Sequence, residues 1–159
     1  MNSYPFFPMM INLIGKKVLV IGGGKVASRR ADTLIRCGAE VKAVSEKFSD
    51  DFPKEALRII KSFTPDDITD DLSLIVSATD NRETNHLVYR TAKAKLIPVN
   101  ISDCQEECDF FFPSMINSGT VAVSVCSAGT SSILTRRLSD RLRKVWHTWI
   151  ADENNTKIR

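Results

Sequence analysis

The chain is short of several things that would send it into a special class. It has four cysteines (Cys37, Cys104, Cys108 and Cys126), too few for a disulfide framework, so reduced thiols in a cytoplasmic setting are expected. It has only two histidines, His86 and His147, far from each other and from the Cys104–Cys108 pair, and four closed ligands of the structural-zinc kind are not in view. No resident metal is expected. No apolar run approaches the ~20 residues that span a bilayer, so a transmembrane helix is not expected. The surplus of positive charge is only +3, too little to argue for nucleic acid. The start of the chain is apolar, but Pro5 and Pro8 interrupt it and no basic leader precedes it, so no signal peptide is expected. Repeats and low-complexity linkers are missing too. What remains is an ordinary globular composition in 159 residues, suited to one domain or one domain with an appendage.

What is present centres on Lys17 to Arg30, KVLVIGGGKVASRR. Four apolar residues run into Gly22-Gly23-Gly24, and a helical pattern begins at once behind them. The spacing Gly22-x-Gly24-x-x-Ala27 is the G-x-G-x-x-A form of a dinucleotide-binding turn. Gly22 permits the tight turn, Gly24 lets the backbone approach a pyrophosphate, and Ala27 lets the helix lie close to the strand. The free N–H groups and positive dipole end of that helix suit phosphate.

The remaining periodicity predicts strands at 17–21, 41–44, 57–60, 72–78 and 97–101, with helices at 25–37 and 82–95 and a short one at 50–56. At the end of the second strand, Ser45-Glu46-Lys47 offers an acid about 20 residues past the glycines for ribose hydroxyls. Lys47 beside it offers the alternative of a 2′-phosphate, and NAD is favoured over NADP. The fourth strand runs into Ala78-Thr79-Asp80-Asn81, where ligands of parallel sheets gather; Asp80 or Asn81 is also placed to cap the next helix. The fifth strand ends in Asn100-Ile101-Ser102-Asp103. A carboxylate such as Asp103 just past a strand end is suited to general-base work, or to capping a loop.

Beyond this the pattern changes. Residues 109–113 (DFFFP) read as a short aromatic strand, 117–120 as a turn, and 120–126 as a second strand. A Ser127–Ser132 loop then opens a long helix with Leu134, Leu138, Leu142, Val145/Trp146 and Trp149 in an apolar stripe. Its other face is basic, with Arg136, Arg137, Arg141, Arg143 and Lys144, either a solvated face or a site for anions. Residues 151–159 read as a frayed tail. An arm over 4–14, with Tyr4, Phe6, Phe7, Met9, Ile11 and Leu13, reads as core covering or as cover for a sheet edge or cleft. The fold class expected is α/β, a Rossmann-type parallel sheet over 1–112 followed by a small strand–helix dimerisation segment over 113–150.

Taken together, YPFFPMMINLIGKKVLVIGGGKVASRR, SATDN, NISD, FFFPSMI and SAGTSSILTRRL, in this order, resemble the precorrin-2 dehydrogenase family, the N-terminal domain of sirohaem synthases. The resemblance implies NAD-dependent oxidation of precorrin-2 to sirohydrochlorin, in a cytoplasmic homodimer with no nucleic-acid or membrane partner. It implies NAD at Gly22, Gly24, Lys25, Val26, Ser45, Glu46 and Lys47, with Thr79, Asp80 and Asn100 in the same crevice. It places the catalytic aspartate on Asp103, and the tetrapyrrole's carboxylates against Ser127, Thr130, Ser131 and Arg136. Some members also insert ferrous iron. This chain lacks most of the helical region that longer members carry after the dimerising segment, which weighs against that second activity. A bifunctional dehydrogenase/ferrochelatase and an NAD-sensing module without chemistry are the alternatives.

Overall fold

The computed structural model describes residues 6–156. The chain divides into two compact units between Phe110 and Phe111. The first is a five-stranded parallel sheet: β1 (Lys17–Ile21), β2 (Glu40–Ser45), β3 (Leu57–Ile60), β4 (Leu74–Ser77) and β5 (Val99–Ile101), in the order β3-β2-β1-β4-β5. Helix α1 (Lys25–Arg36) joins β1 to β2, and α2 (Arg82–Ala94) joins β4 to β5. These crossovers leave the centre in opposite directions. Right-handed connection therefore puts the two helices on opposite faces. This is the Rossmann-type arrangement expected, with its switch point between β1 and β4.

Burial on both faces explains why the central strands read as unbroken apolar runs. Leu19, Ile21, Val44, Ile75, Val99 and Ile101 form one core with Val88 and Ala92 of α2. Ala27, Ala31 and Leu34 are the buried apolar residues of α1. In the turn after β3, Asp67 is almost wholly buried. Burial pushes its carboxyl up, but Lys61 at 2.9 Å, the Thr64 backbone N–H at 3.0 Å and Lys42 outweigh that and hold it below its ordinary value.

The fourth strand begins at Leu74 rather than at residue 72, and two further expectations fail in this unit at proline. Residues 50–56 form turns, not a helix. Pro53 disfavours helical backbone at Phe52, and Phe52 is buried with its ring edge-on to Phe48 at 4.7 Å. The fifth strand starts at Val99 rather than Ile97, because Pro98 has no N–H to give; its carbonyl still accepts from Ile75 at 2.9 Å. Of the arm, Leu13 is buried while Phe7, Met9, Met10 and Ile11 are exposed; Tyr4 lies outside the described residues.

The second unit holds an antiparallel hairpin, β6 (Ser114–Ser118) and β7 (Val121–Val125), and helix α3 (Ser132–Thr156). The register pairs Ser118 with Val121, leaving a two-residue loop in which Gly119 adopts φ +59°. The aromatic stretch expected as a strand over 109–113 is not one; pairing begins only after Pro113, at Ser114. Asp109 instead finishes the first sheet, its N–H donating to Val99 at 2.8 Å and its carboxylate accepting from the Val99 N–H at 3.1 Å. At the other end α3 continues to Thr156, so 151–156 of the expected tail is helical, in keeping with the helix formers Ala151 and Glu153. Ser139 is fully buried and Thr135 half-buried, so the face of α3 turned inward is partly polar, and most of the expected apolar stripe stays exposed.

Candidate functional site

The carboxyl ends of β1, β2 and β4 open into a cleft of about 810 Å³. The glycine turn forms its floor, and each glycine there has a different job. Gly22 has φ +112°, and a Cβ on it would lie 2.3 Å from the Ala78 carbonyl oxygen. A Cβ on Gly23 would lie 2.0 Å from the Lys47 carbonyl oxygen. These two let the turn press against β4 and against the loop after β2. A Cβ on Gly24 would meet nothing within 4 Å. Its open side faces the start of α1, where no side chain caps the first N–H groups and no acidic residue occupies the first turn. An uncapped helix start behind an unfilled glycine is the cradle that a pyrophosphate needs.

The wall comes from β2 and the loops after it and after β3. Ser45 donates to the Lys47 carbonyl at 2.8 Å, which fixes the bend that carries Glu46 and Lys47 along the cleft. The Ser62 hydroxyl donates to the Glu46 carboxylate, orienting it. The opposite wall is Ala78-Thr79-Asp80-Asn81. Asn81 caps α2, its Oδ1 accepting from the Thr84 N–H at 2.8 Å. Behind it Asn85 is fully buried. Its Oδ1 accepts from the Ser77 hydroxyl at 2.7 Å and the Thr79 hydroxyl at 2.8 Å, and its Nδ2 donates to the Thr79 carbonyl at 3.0 Å. Asn85 thus pins the loop that walls the cleft.

Of the expected cofactor residues, Gly22, Gly24, Ser45, Glu46, Lys47, Thr79 and Asp80 line this cleft. Lys25, Val26 and Asn100 do not. Lys25 and Val26 are exposed at the start of α1, and Asn100 is buried in β5 with its amide donating to the Phe110 carbonyl at 2.8 Å. Gly23, Ser62 and Asn85 were not singled out from the sequence. Gly23 carried a signal, since it stands inside the motif; Ser62 and Asn85 depend on contacts across 16 and 6 to 8 positions that no local pattern reveals.

Asp103 follows β5 by two residues and is about one-third exposed. Arg82, which follows the cleft residue Asn81 directly, donates to it at 3.1 Å. The same guanidinium reaches Glu107, and His86 Nδ1 meets that carboxylate at 2.8 Å. Burial pushes the Glu107 carboxyl up, but Arg82 and His86 more than offset it and bring it below its ordinary value. In the CQEEC segment Gln105 and Glu106 are exposed, while Cys104 and Cys108 are half-buried. Cys108 Sγ accepts from the Ile101 N–H at 3.2 Å, and burial pushes its thiol up. Among the described residues no three His, Cys, Asp or Glu side chains gather as a metal site.

In the second unit the expected substrate hydroxyls build the turn before α3. Ser127 Oγ donates to the Ser131 carbonyl and accepts from the Ser131 N–H, both at 3.0 Å, and accepts from Thr135 at 2.9 Å. Thr130 donates to the Ser127 carbonyl at 2.6 Å, and Ser131 caps the helix by accepting from Leu134 N–H at 3.2 Å. Arg136 is mostly exposed, 3.9 Å from Asp140.

Sheet order, glycine cradle and cleft together define a dinucleotide-binding protein of the Rossmann class. The sequence matches the family described as "Putative NAD(P)-binding" over residues 9–114, and the chain belongs to that NAD(P)-binding family. It is 36% identical over 147 residues to the "Probable multifunctional siroheme biosynthesis protein HemA" of Ruminiclostridium josui, covering 89% of this chain and 28% of that protein. It is 38% identical over 143 residues to siroheme synthase 2 of Aeromonas salmonicida, covering 88% and 30%. The chain thus spans about three-tenths of these curated relatives. Its fold is that of the solved structure of SirC, a precorrin-2 dehydrogenase, at TM-score 0.70 and 24% identity over 87% of this chain and 70% of that one. Among the described residues no helix is long and apolar enough to cross a membrane.

Proposed function

We propose that this chain is the NAD-dependent dehydrogenase of precorrin-2, forming sirohydrochlorin in sirohaem synthesis. One observation carries the reading: Asp103, just past the carboxyl end of β5, is held by Arg82, the residue that follows the cleft-lining Asn81. An NAD-sensing module would need the cleft and have no use for that carboxylate. The names of the relatives supply the substrate class.

The substrate loses two hydrogens, one as hydride and one as a proton. When bound, NAD supplies the hydride acceptor. Asp103 takes the proton as general base. Glu46 selects NAD, because a carboxylate accepts hydrogen bonds from a ribose diol and repels a 2′-phosphate. In the second unit Arg136 offers charge to the substrate's carboxylates, and the hydroxyls of Ser127, Thr130 and Ser131 hold the turn in front of it.

The active species is a homodimer. Leu134, Leu138, Val145 and Trp149 lie exposed along one face of α3, and a two-fold partner is the simplest way to cover such a stripe. The cytoplasm is its compartment; all four cysteines are free, which fits a reducing setting.

The test is Asp103→Ala. Turnover of precorrin-2 should vanish while NAD binding, followed by fluorescence, stays near wild type. Wild-type turnover by this variant would remove Asp103 as the base.

A further inference from the structure

Asp103 does not stand alone, and the groups behind it are arranged in a line. Arg82 sits in the first turn of α2, with one terminal nitrogen on Asp103 and the other on Glu107. Asp103 is about one-third exposed and Arg82 about half exposed, whereas the Glu107 side chain is only 12% exposed. Glu107 is itself held from the other side by His86, one turn further along α2. The fork of a guanidinium is rigid and planar, so two carboxylates bound to its two ends are fixed relative to each other. The pairing leaves its mark on both partners: the guanidinium is raised and the Glu107 carboxyl lowered from their ordinary values, burial working against each shift. An isolated exposed ion pair does little. Here one end of the fork lies on a largely buried carboxylate and the other on a more exposed one.

We propose that Arg82 is a positioning residue for Asp103, with Glu107 and His86 as its anchor, so that the base is aimed from the scaffold rather than from its own loop. The proposal rests on Asp103 being the base. Arg82 touches neither the cleft floor nor the glycine turn, so its loss acts on the chemical step and not on dinucleotide binding. Lysine cannot replace it, because one ammonium does not span both carboxylates.

The test measures kcat and the KM for NAD in full-length variants. Arg82→Ala should lower kcat about 10- to 100-fold, the range expected for a misplaced catalytic group, with KM for NAD unchanged. Arg82→Lys should recover little of that loss. Glu107→Gln, which makes no contact with Asp103 itself, should lower kcat in the same direction. The double variant Arg82→Ala/Glu107→Gln should be no worse than Arg82→Ala alone, since both act through one guanidinium. Wild-type kcat in Arg82→Ala, or additive losses in the double variant, would overturn the proposal. A second arm needs no turnover. In the wild-type protein the Arg82 guanidinium hydrogens should give separate, rotation-restrained NMR signals that collapse in Glu107→Gln. A freely rotating guanidinium in the wild type overturns the proposal. If the wild-type protein fails to oxidise precorrin-2, the functional reading falls, and the NMR arm still decides whether Arg82 is held as a fork.

Discussion

The two units solve the problem of burial differently. In the first, β1 and β4 are sealed on both faces, and Leu19, Ile75, Val76, Val88 and Val99 have no exposed surface. In the second, Ile116 and Ala128 are the only apolar residues buried among those described, and the most buried position on α3 is a serine. A lone hairpin with one helix is too small to close a core of its own. The first unit therefore closes its own core, and the second leaves most of its large apolar side chains exposed or half-buried.

The largest effects are expected at the glycine turn. Gly23→Ala puts a methyl group onto the Lys47 carbonyl and should cost about 3 kcal/mol or more, since the clash is with backbone. Gly24→Ala meets no atom and should change the melting temperature little, yet weaken NAD binding because the cradle is filled. Thermal denaturation and NAD titration of the two variants should give opposite orders; equal effects in both assays would mean the cradle is wrongly placed.

Next in size is Leu138→Asp on the exposed face of α3. In a homodimer it should weaken association by roughly 100-fold, through lost apolar burial and a desolvated charge, as read by analytical ultracentrifugation. The same change on a monomer's surface would leave sedimentation untouched. Smaller again is Asn85→Ala, which strands the Ser77 and Thr79 groups inside the first unit. It should cost about 2 kcal/mol and reduce NAD affinity, since the Thr79 loop loosens. A stable variant with unaltered affinity would show that Asn85 pins nothing.

The smallest effect is a gain. Both Rossmann helices end on a left-handed residue: Gly38 at φ +86° after α1, and Leu96 at φ +57° after α2. Leu96 is 91% exposed, so its side chain earns nothing by packing. Leu96→Gly should stabilise the first unit by about 1 kcal/mol, a rise in melting temperature that a strained leucine requires and a relaxed one would not show.

The same contrast explains what could be read from the sequence. Strands sealed on both faces announce themselves as apolar runs, so β1, β2 and β4 were legible to within a residue or two, as was the glycine turn. Proline set three of the errors: Pro53 removed an expected helix, Pro98 delayed a strand, and pairing in the second unit began only after Pro113. In the second unit, periodicity located α3 but not the face it turns inward, because Thr135 and Ser139 face inward there with Leu142, while Leu134 and Leu138 stay exposed. The cleft's glycines and Glu46 were legible because they belong to a motif. Asn85, Ser62 and the Arg82–Glu107 anchor were not, because each depends on two segments meeting only after the sheet has formed. Ser127 illustrates the limit from the other side: its loop was legible, but not that its hydroxyl is fully engaged in the turn.

The most direct test of the central claim is to incubate the purified protein with precorrin-2 and follow the absorbance of sirohydrochlorin with NAD, with NADP and with neither. The account predicts product with NAD, far less with NADP because of Glu46, and none without a dinucleotide. Product formation that is indifferent to NAD, or no product at all, would contradict it.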